Sequence, residues 1–409
     1  MNIDEINDYG YTAVKLISGI KSSVVDELLE SGIIGSHREL IPDNINNILK
    51  MAGSLPLSSK TLNGLGVIMG CLDECKKAAD DYINRAQKNG IRAVSCYDKE
   101  YPYPWRHLSG MPRVIFTKGN TNLLMDIFTS GCASIVGSRK PGKYSLYATE
   151  DFTKGLVSHG VVVVSGLALG IDGKAHSAAM DNGGKTIAVT PGGPDVHYPY
   201  QHEALYNEIY EKGLVISEMP PGQGIIKQYF PSRNRLIAAL SDVCLIMEAG
   251  KYSGTLHTAS FAGTQGKDVF VLPNGIYYEN GIGGLLLIRD GAEVLIDIDT
   301  VLERIKGNVI TRVKEDGANF PELLSCDGDM ARMEEDLLKK MKVNPNQLST
   351  EEWKQVIKSF IEEKPRNFDE LSVVIPLDIG RLMSYLTELE LSSEVDIDRD
   401  KYVLTIQKT

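Results

Sequence analysis

The run VVVVSGLALGIDGKAH, residues 161–176, sets the reading of the whole chain. Four successive valines cannot alternate between core and water. They predict a strand covered on both faces, as in the middle of a parallel sheet. The strand ends at Ser165-Gly166, passes a small-residue turn with Gly170, and enters a helix expected to be capped by Asp172 or one of its neighbours, Asp172 being favoured. Six other short runs share this β-rich texture: CASIVG from Cys132, KTIAVT from Lys185, LVISE from Leu214, VCLIME from Val243, DVFVLP from Asp268 and AEVLID from Ala292. Helical spacing fills the gaps, over 144–159, 173–182, 202–212, 233–241, 256–265 and 284–289. Strand–helix alternation of this kind predicts an α/β fold, a Rossmann-like doubly wound parallel sheet. Open sheets of that type bind ligands beyond the carboxyl ends of their strands, so the loops that follow the strands are where a site is expected.

The flanks have a different pattern. Residues 1–95 carry apolar positions at three- and four-residue spacings over 11–16, 24–29, 45–51 and 72–87, and predict an N-terminal helical module. GIKSSVVDELLESGI, residues 19–33, has the outline of a SAM- or helix-hairpin-helix-like unit, although helix spacing suits a plain packing module better. Residues 96–300 are assigned to the sheet domain with its lead-in, where β-rich pieces alternate with the prolines of YPYPW in an ordered connector. Residues 301–349 are charged and poor in core positions, and are expected to form a linker. In 350–409, Trp353, Val356, Ile357, Phe360 and Ile361 share one helical face, two more helices follow, and VDIDRDKYVLTI reads as a hairpin. That order predicts a C-terminal winged-helix-like domain. Its third helix, 377–391, is acidic, with Arg381 as its basic residue, which favours protein contact over DNA contact.

Composition narrows the function classes. The chain has 409 residues, 43% hydrophobic and 24% charged, so two or three soluble domains are expected. No apolar run approaches the ~18 residues of a membrane span, and MNIDEINDYG lacks a secretory pattern. A net charge of −11 argues against a surface that grips nucleic acid everywhere, but leaves room for a local basic groove. Cys71 and Cys75 read as ordinary thiols in a reducing compartment, since no second Cys/His pair stands near them.

Two stretches carry candidate chemistry. After the first strand of the sheet, Gly137, Ser138, Arg139, Gly142 and Lys143 precede a helix, where free amides and a guanidinium suit a phosphate. The dinucleotide fingerprint G-x-G-x-x-G and the P-loop pattern are both absent. In KQYFPSRNRLIAALS, Lys227, Phe230, Arg233, Asn234 and Arg235 cluster cations around an aromatic ring, as single-strand binding asks. The alternative is that Arg233 and Arg235 pair with acids such as Glu218 or Glu248. His176 and His257 lack a partnering Asp or Ser motif and read as packed or surface residues, with His176 holding backbone near the loop.

The motifs IVGSR, VVSGLALGIDGKAH, GGKTIAV, YPYQHEAL, ISEMPPG, YFPSRNRLIAALS, EAGKYSGTLHTASFA, KDVFVLP and GIGGLLLIRDGA occur in an order that resembles the DNA-processing protein A family (DprA, also called Smf). The resemblance implies a non-enzymatic cytosolic protein of transformation or recombination, without a cofactor. Such a protein binds single-stranded DNA, forms a homodimer and helps load the RecA recombinase. Carried across by position, its strand-binding residues are Gly137, Ser138, Arg139, Ser165, Gly166, Lys227, Phe230, Arg233, Asn234 and Arg235. The chain departs from the family pattern at Leu169, where a basic residue is common, and at Thr255 and His257. Two alternatives stay open. One is a phosphoribohydrolase of the LOG type, although PGGPDVHYP lacks that family's Gly-Thr and following glutamate. The other is a scaffold that does not bind DNA.

Overall fold

The computed structural model describes residues 1–55, 57–108 and 110–316, together with 350–363, 371, 375, 382, 385–389, 392, 394–398 and 401–404. The chain divides after Asp316 into two compact units. The first opens with helices α1 (Ile3–Ser18), α2 (Ser22–Glu30), α3 (Ile45–Ala52), α4 (Ser59–Gly70) and α5 (Leu72–Asn89). Strand β1 (Arg92–Ser95), the short α6 (Tyr103–Arg106), β2 (Val114–Gly119) and α7 (Leu123–Ser130) follow. The alternating core is β3 (Cys132–Gly137), α8 (Lys143–Ser158), β4 (Val162–Ser165), α9 (Ile171–Asp181), β5 (Thr186–Thr190), α10 (Glu203–Lys212) and β6 (Leu214–Ser217). It continues through α11 (Tyr229–Leu240), β7 (Val243–Glu248), α12 (Thr255–Thr264), β8 (Asp268–Val271), α13 (Ile282–Arg289), β9 (Glu293–Val294) and α14 (Ile298–Asp316).

The nine strands form one sheet in the order β1-β2-β6-β5-β4-β3-β7-β8-β9. The seven expected strands all pair in parallel, and the doubly wound reading holds. Val162, Val163 and Val164 are wholly buried, because helices cover both faces of β4. Each such side chain contributes roughly 1.5–3 kcal/mol relative to exposure. The lead-in is more than a connector. β2 adds to β6 and β1 adds to β2, both antiparallel, so the sheet begins at Arg92, inside the stretch assigned to the helical module. Ala93, Val114 and Phe116 turn from the sheet into the core of α1–α5, where Tyr9, Val25 and Leu28 are buried.

A further difference concerns the expected linker. Residues 301–316 belong to α14, whose Val301, Leu302 and Ile305 are buried against the sheet. Arg312 donates from Nη1 to Asp242 Oδ1 at 2.9 Å and from Nε to the Phe128 carbonyl at 3.1 Å. Asp242 also accepts the Cys132 amide at 2.8 Å, so one carboxylate joins α14 to the starts of β3 and β7. The charged composition misled because one face of α14 is solvated while the other is seated. The rest of the expected linker, 317–349, lies outside the described residues.

In the second unit, helix α15 (Thr350–Glu363) and the hairpin β10 (Val395–Asp398)–β11 (Lys401–Leu404) are present. Trp353, Val356, Ile357 and Ile361 form a core with Leu371, Leu382, Leu386 and Val395. The two helices expected between them lie largely outside the described residues, as does Arg381. Among the described residues, no helix is long and apolar enough to cross a membrane.

Candidate nucleic-acid interface

The strand order places the site. From β3 the chain builds outward to β4, β5 and β6, then returns to lay β7 against the other edge of β3. The loops after β3 and β7 therefore diverge, and a crevice opens between them at the carboxyl end of the sheet. Its volume is about 590 Å³, and its lining includes Gly137, Ser138, Arg139, Phe230, Arg233 and Asn234. A smaller cleft beside it is bordered by Gly166, Leu169, Tyr198 and again by Arg139 and Phe230.

Arg139 is exposed, and its guanidinium lies 5.3 Å from the centre of the Phe230 ring. Tyr198 meets the same ring edge-on at 5.9 Å. A cation and an aromatic face thus stand side by side, within reach of a phosphate and a base. Ser138 is turned by its own loop, its Oγ accepting the Lys140 amide at 3.1 Å. Gly170 has a φ of +81°, and a side chain there would collide with the Ser138 carbonyl and Pro141. Glycine at this point lets the loops after β3 and β4 pack in direct contact.

Several expected residues do not face the crevice as free hands. Arg233 is buried, and its Nη1 donates to the carbonyls of Gly166 and Val189, the latter at 3.0 Å. It fixes the ends of β4 and β5 to α11, and burial lowers its pKa. Gly166 has to be glycine because Arg233 occupies the space of a side chain there. Ser165 is wholly buried, donating from Oγ to the Ile135 carbonyl at 2.6 Å. Lys227 is exposed, three residues ahead of Phe230 and outside the crevice lining. Arg235 turns away altogether. It pairs with Glu218 at 2.8 Å and lines a separate cavity of about 790 Å³ with Tyr103, Gln265, Lys267 and Arg312. The ion-pair alternative thus holds for Arg235 with Glu218, while Arg233 bonds backbone instead.

Asp172 is not the cap of α9. Gly170 occupies that position, and Asp172 Oδ2 reaches back to accept the amides of Gly166 at 3.2 Å and Ala168 at 3.4 Å. Burial raises its pKa, while Arg233 and these amides act the other way. His176 bonds a side chain rather than backbone, with Nδ1 2.7 Å from the Thr186 hydroxyl. That hydroxyl spends its proton on the Val163 carbonyl at 2.9 Å, so Nδ1 carries the imidazole proton. Nε2 is buried without a partner, and burial pushes the pKa down to about 3. His176 is a neutral core residue.

Tyr198, Tyr252, Asn280 and His257 were not expected at the site, yet all border the crevice or the cleft beside it. Tyr252 was legible in principle, since EAGKYSG follows β7 just as IVGSRKPG follows β3. Tyr198 was not, because it arrives from the crossover after β5.

Comparison with known proteins bears on the family of the chain. Residues 92–306 match the model of the family DNA recombination-mediator protein A. A relative from Mycobacterium tuberculosis is 34% identical over 252 residues, 59% of this chain and 64% of its own length, so the chain spans just under two thirds of that relative. The protein Smf of Synechocystis is 30% identical over 76% of this chain and 79% of its own. The X-ray structure of DNA processing protein A from Streptococcus pneumoniae superposes with a TM-score of 0.60 and 31% identity, covering 73% of this chain and 98% of that one. The sheet, its lead-in strands and the crevice loops all fall within the family match, and the chain belongs to the DNA recombination-mediator protein A family.

Proposed function

We propose that this chain binds single-stranded DNA in the crevice beyond β3 and β7 and acts as a recombination mediator. The observation that carries the reading is Arg139 set over Phe230 at a crevice with a small-residue floor. The guanidinium suits a phosphate and the ring suits any base, which is the pairing that sequence-tolerant single-strand binding needs. The family's name, with its reference to DNA recombination, supports it.

Hydrolysis of the LOG type is disfavoured by the same lining. Among the described residues its carboxylate is Asp172, which is buried and spent on loop amides. RecA loading, a cytoplasmic location and a homodimer through the α13 region complete the proposal. Residues 350–409 would serve as a winged-helix-like module for protein contact.

The test is fluorescence anisotropy with oligothymidine across a salt series. Arg139→Ala should lower the salt slope by ~0.7, and Phe230→Ala should weaken binding by ~1–3 kcal/mol with the slope largely kept. Arg235→Ala, whose guanidinium is held by Glu218, should leave affinity close to wild type. A folded Arg139→Ala/Phe230→Ala protein with wild-type affinity would overturn the reading.

A further inference from the structure

Beside the crevice lies a strip of aromatic side chains that the fold leaves in water. Tyr252 borders the crevice and is 91% exposed, with Lys251 Nζ 5.5 Å from its ring centre. The Tyr278 hydroxyl donates to Glu248 Oε2 at 3.2 Å, and the same oxygen accepts the Gly142 amide at 2.9 Å. The 275–280 turn is thereby pinned against the start of α8, and Tyr277 beside it is 94% exposed. On α8 itself Tyr144 and Tyr147 are both exposed. Three residues apart, they share one face with about 5–6 Å between their Cβ atoms.

Cations accompany these rings. Lys140, Lys143 and Lys251 are exposed and make no ion pair among the described residues. Among the described residues, Glu279 is the exposed acid within the strip, and the Glu248 carboxylate lies buried beneath it. Asp151 stands one turn beyond Tyr147, and Glu150 is taken by Lys174 at 2.6 Å, so the basic character ends there. In a chain of net charge −11, unpaired lysines interleaved with exposed rings and continuous with a cationic crevice fit a polyanion that carries flat bases.

Resting on the crevice as the primary site, we propose that a single DNA strand leaving it passes Tyr252 and runs over the first two turns of α8. Its bases stack on Tyr144 and Tyr147, and Lys140 and Lys143 meet its phosphates. The crevice holds the first few nucleotides, and the strip sets the length dependence of binding.

The experiment compares oligothymidines of about 6 and about 25 nucleotides on the full chain, since each added base stacked on a ring contributes independently of sequence. Tyr144→Ala/Tyr147→Ala should weaken the long strand by about tenfold or more and leave the short strand within about twofold. Tyr144→Phe/Tyr147→Phe should restore long-strand affinity, because the ring stacks without its hydroxyl. Lys140→Ala/Lys143→Ala should reduce the long-strand salt slope by about 1.4. Unchanged long-strand affinity in the alanine variant overturns the strip while the crevice stands. Equal losses on both strands also overturn it, because the tyrosines would then act within the primary site. A wild-type chain that binds neither strand removes the crevice and the strip together.

Discussion

At the scale of single residues, several side chains build the crevice rather than face it. Arg233 and Asp172 shape the crevice by holding its loops, and His176 fills the core behind them. His176 gives a pH signature with a definite sign. Its pKa is pushed down from 6.5 to about 3, chiefly by burial, with His202 and Arg233 adding to the effect. The unfolded chain therefore binds a proton that the folded one refuses. Stability is full above the unfolded value and is lost as pH falls from 6.5 toward 3, by at most about 1.4 kcal/mol per unit. Asp172, with its raised pKa, contributes in the opposite direction. Urea denaturation at pH 7 and at about 4.5 should show His176→Gln losing less stability than wild type over that interval. Equal losses would mean that other groups carry the acid sensitivity.

At the scale of elements, α14 is the piece that composition hid. Its apolar face fills the seat offered by α8 and the sheet, and Arg312 closes the gap between Phe128 and Asp242. The pair is almost wholly buried, so removing one partner leaves the other charge uncompensated. Arg312→Ala is expected to cost on the order of 3 kcal/mol, measured by chemical denaturation. A loss within experimental error would show that water replaces the guanidinium without penalty. The same ion pair in an exposed setting would contribute ~0–1 kcal/mol, so burial decides the outcome.

At the scale of the whole molecule, the proposed homodimer turns on α13. Four successive apolar residues, Leu285 to Ile288, cannot all face one core, and the structure divides them. Leu287 and Ile288 pack against the sheet, and all four remain only partly buried. Val294 and Ile296, which follow, are exposed. The proposed homodimer would bury this patch. Sedimentation of the full chain at micromolar concentration should report a dimer, and Leu286→Arg should return it to a monomer while Arg139 and Phe230 still bind short strands. A monomeric wild-type chain would remove this surface from the assembly.

The sequence by itself determined the seven parallel strands, the helices between them and the loops that would carry chemistry, because burial on both faces and helical periodicity are local patterns. The runs from CASIVG to AEVLID and the helices at 144–159 and 202–212 were legible for that reason. It also named Arg139 and Phe230 as candidate site residues, and the two side chains do meet. Only the tertiary structure decided strand order, and with it where the loops part. Order likewise decided that Arg233 turns inward and that Arg235 faces a second cavity, although the two are neighbours but one on α11. The antiparallel addition of β1 and β2, the seating of α14 and the arrival of Tyr198 at the cleft beside the crevice depend on partners far along the chain. A residue's type fixes what it can bond. What it does bond depends on which distant segment the fold sets against it.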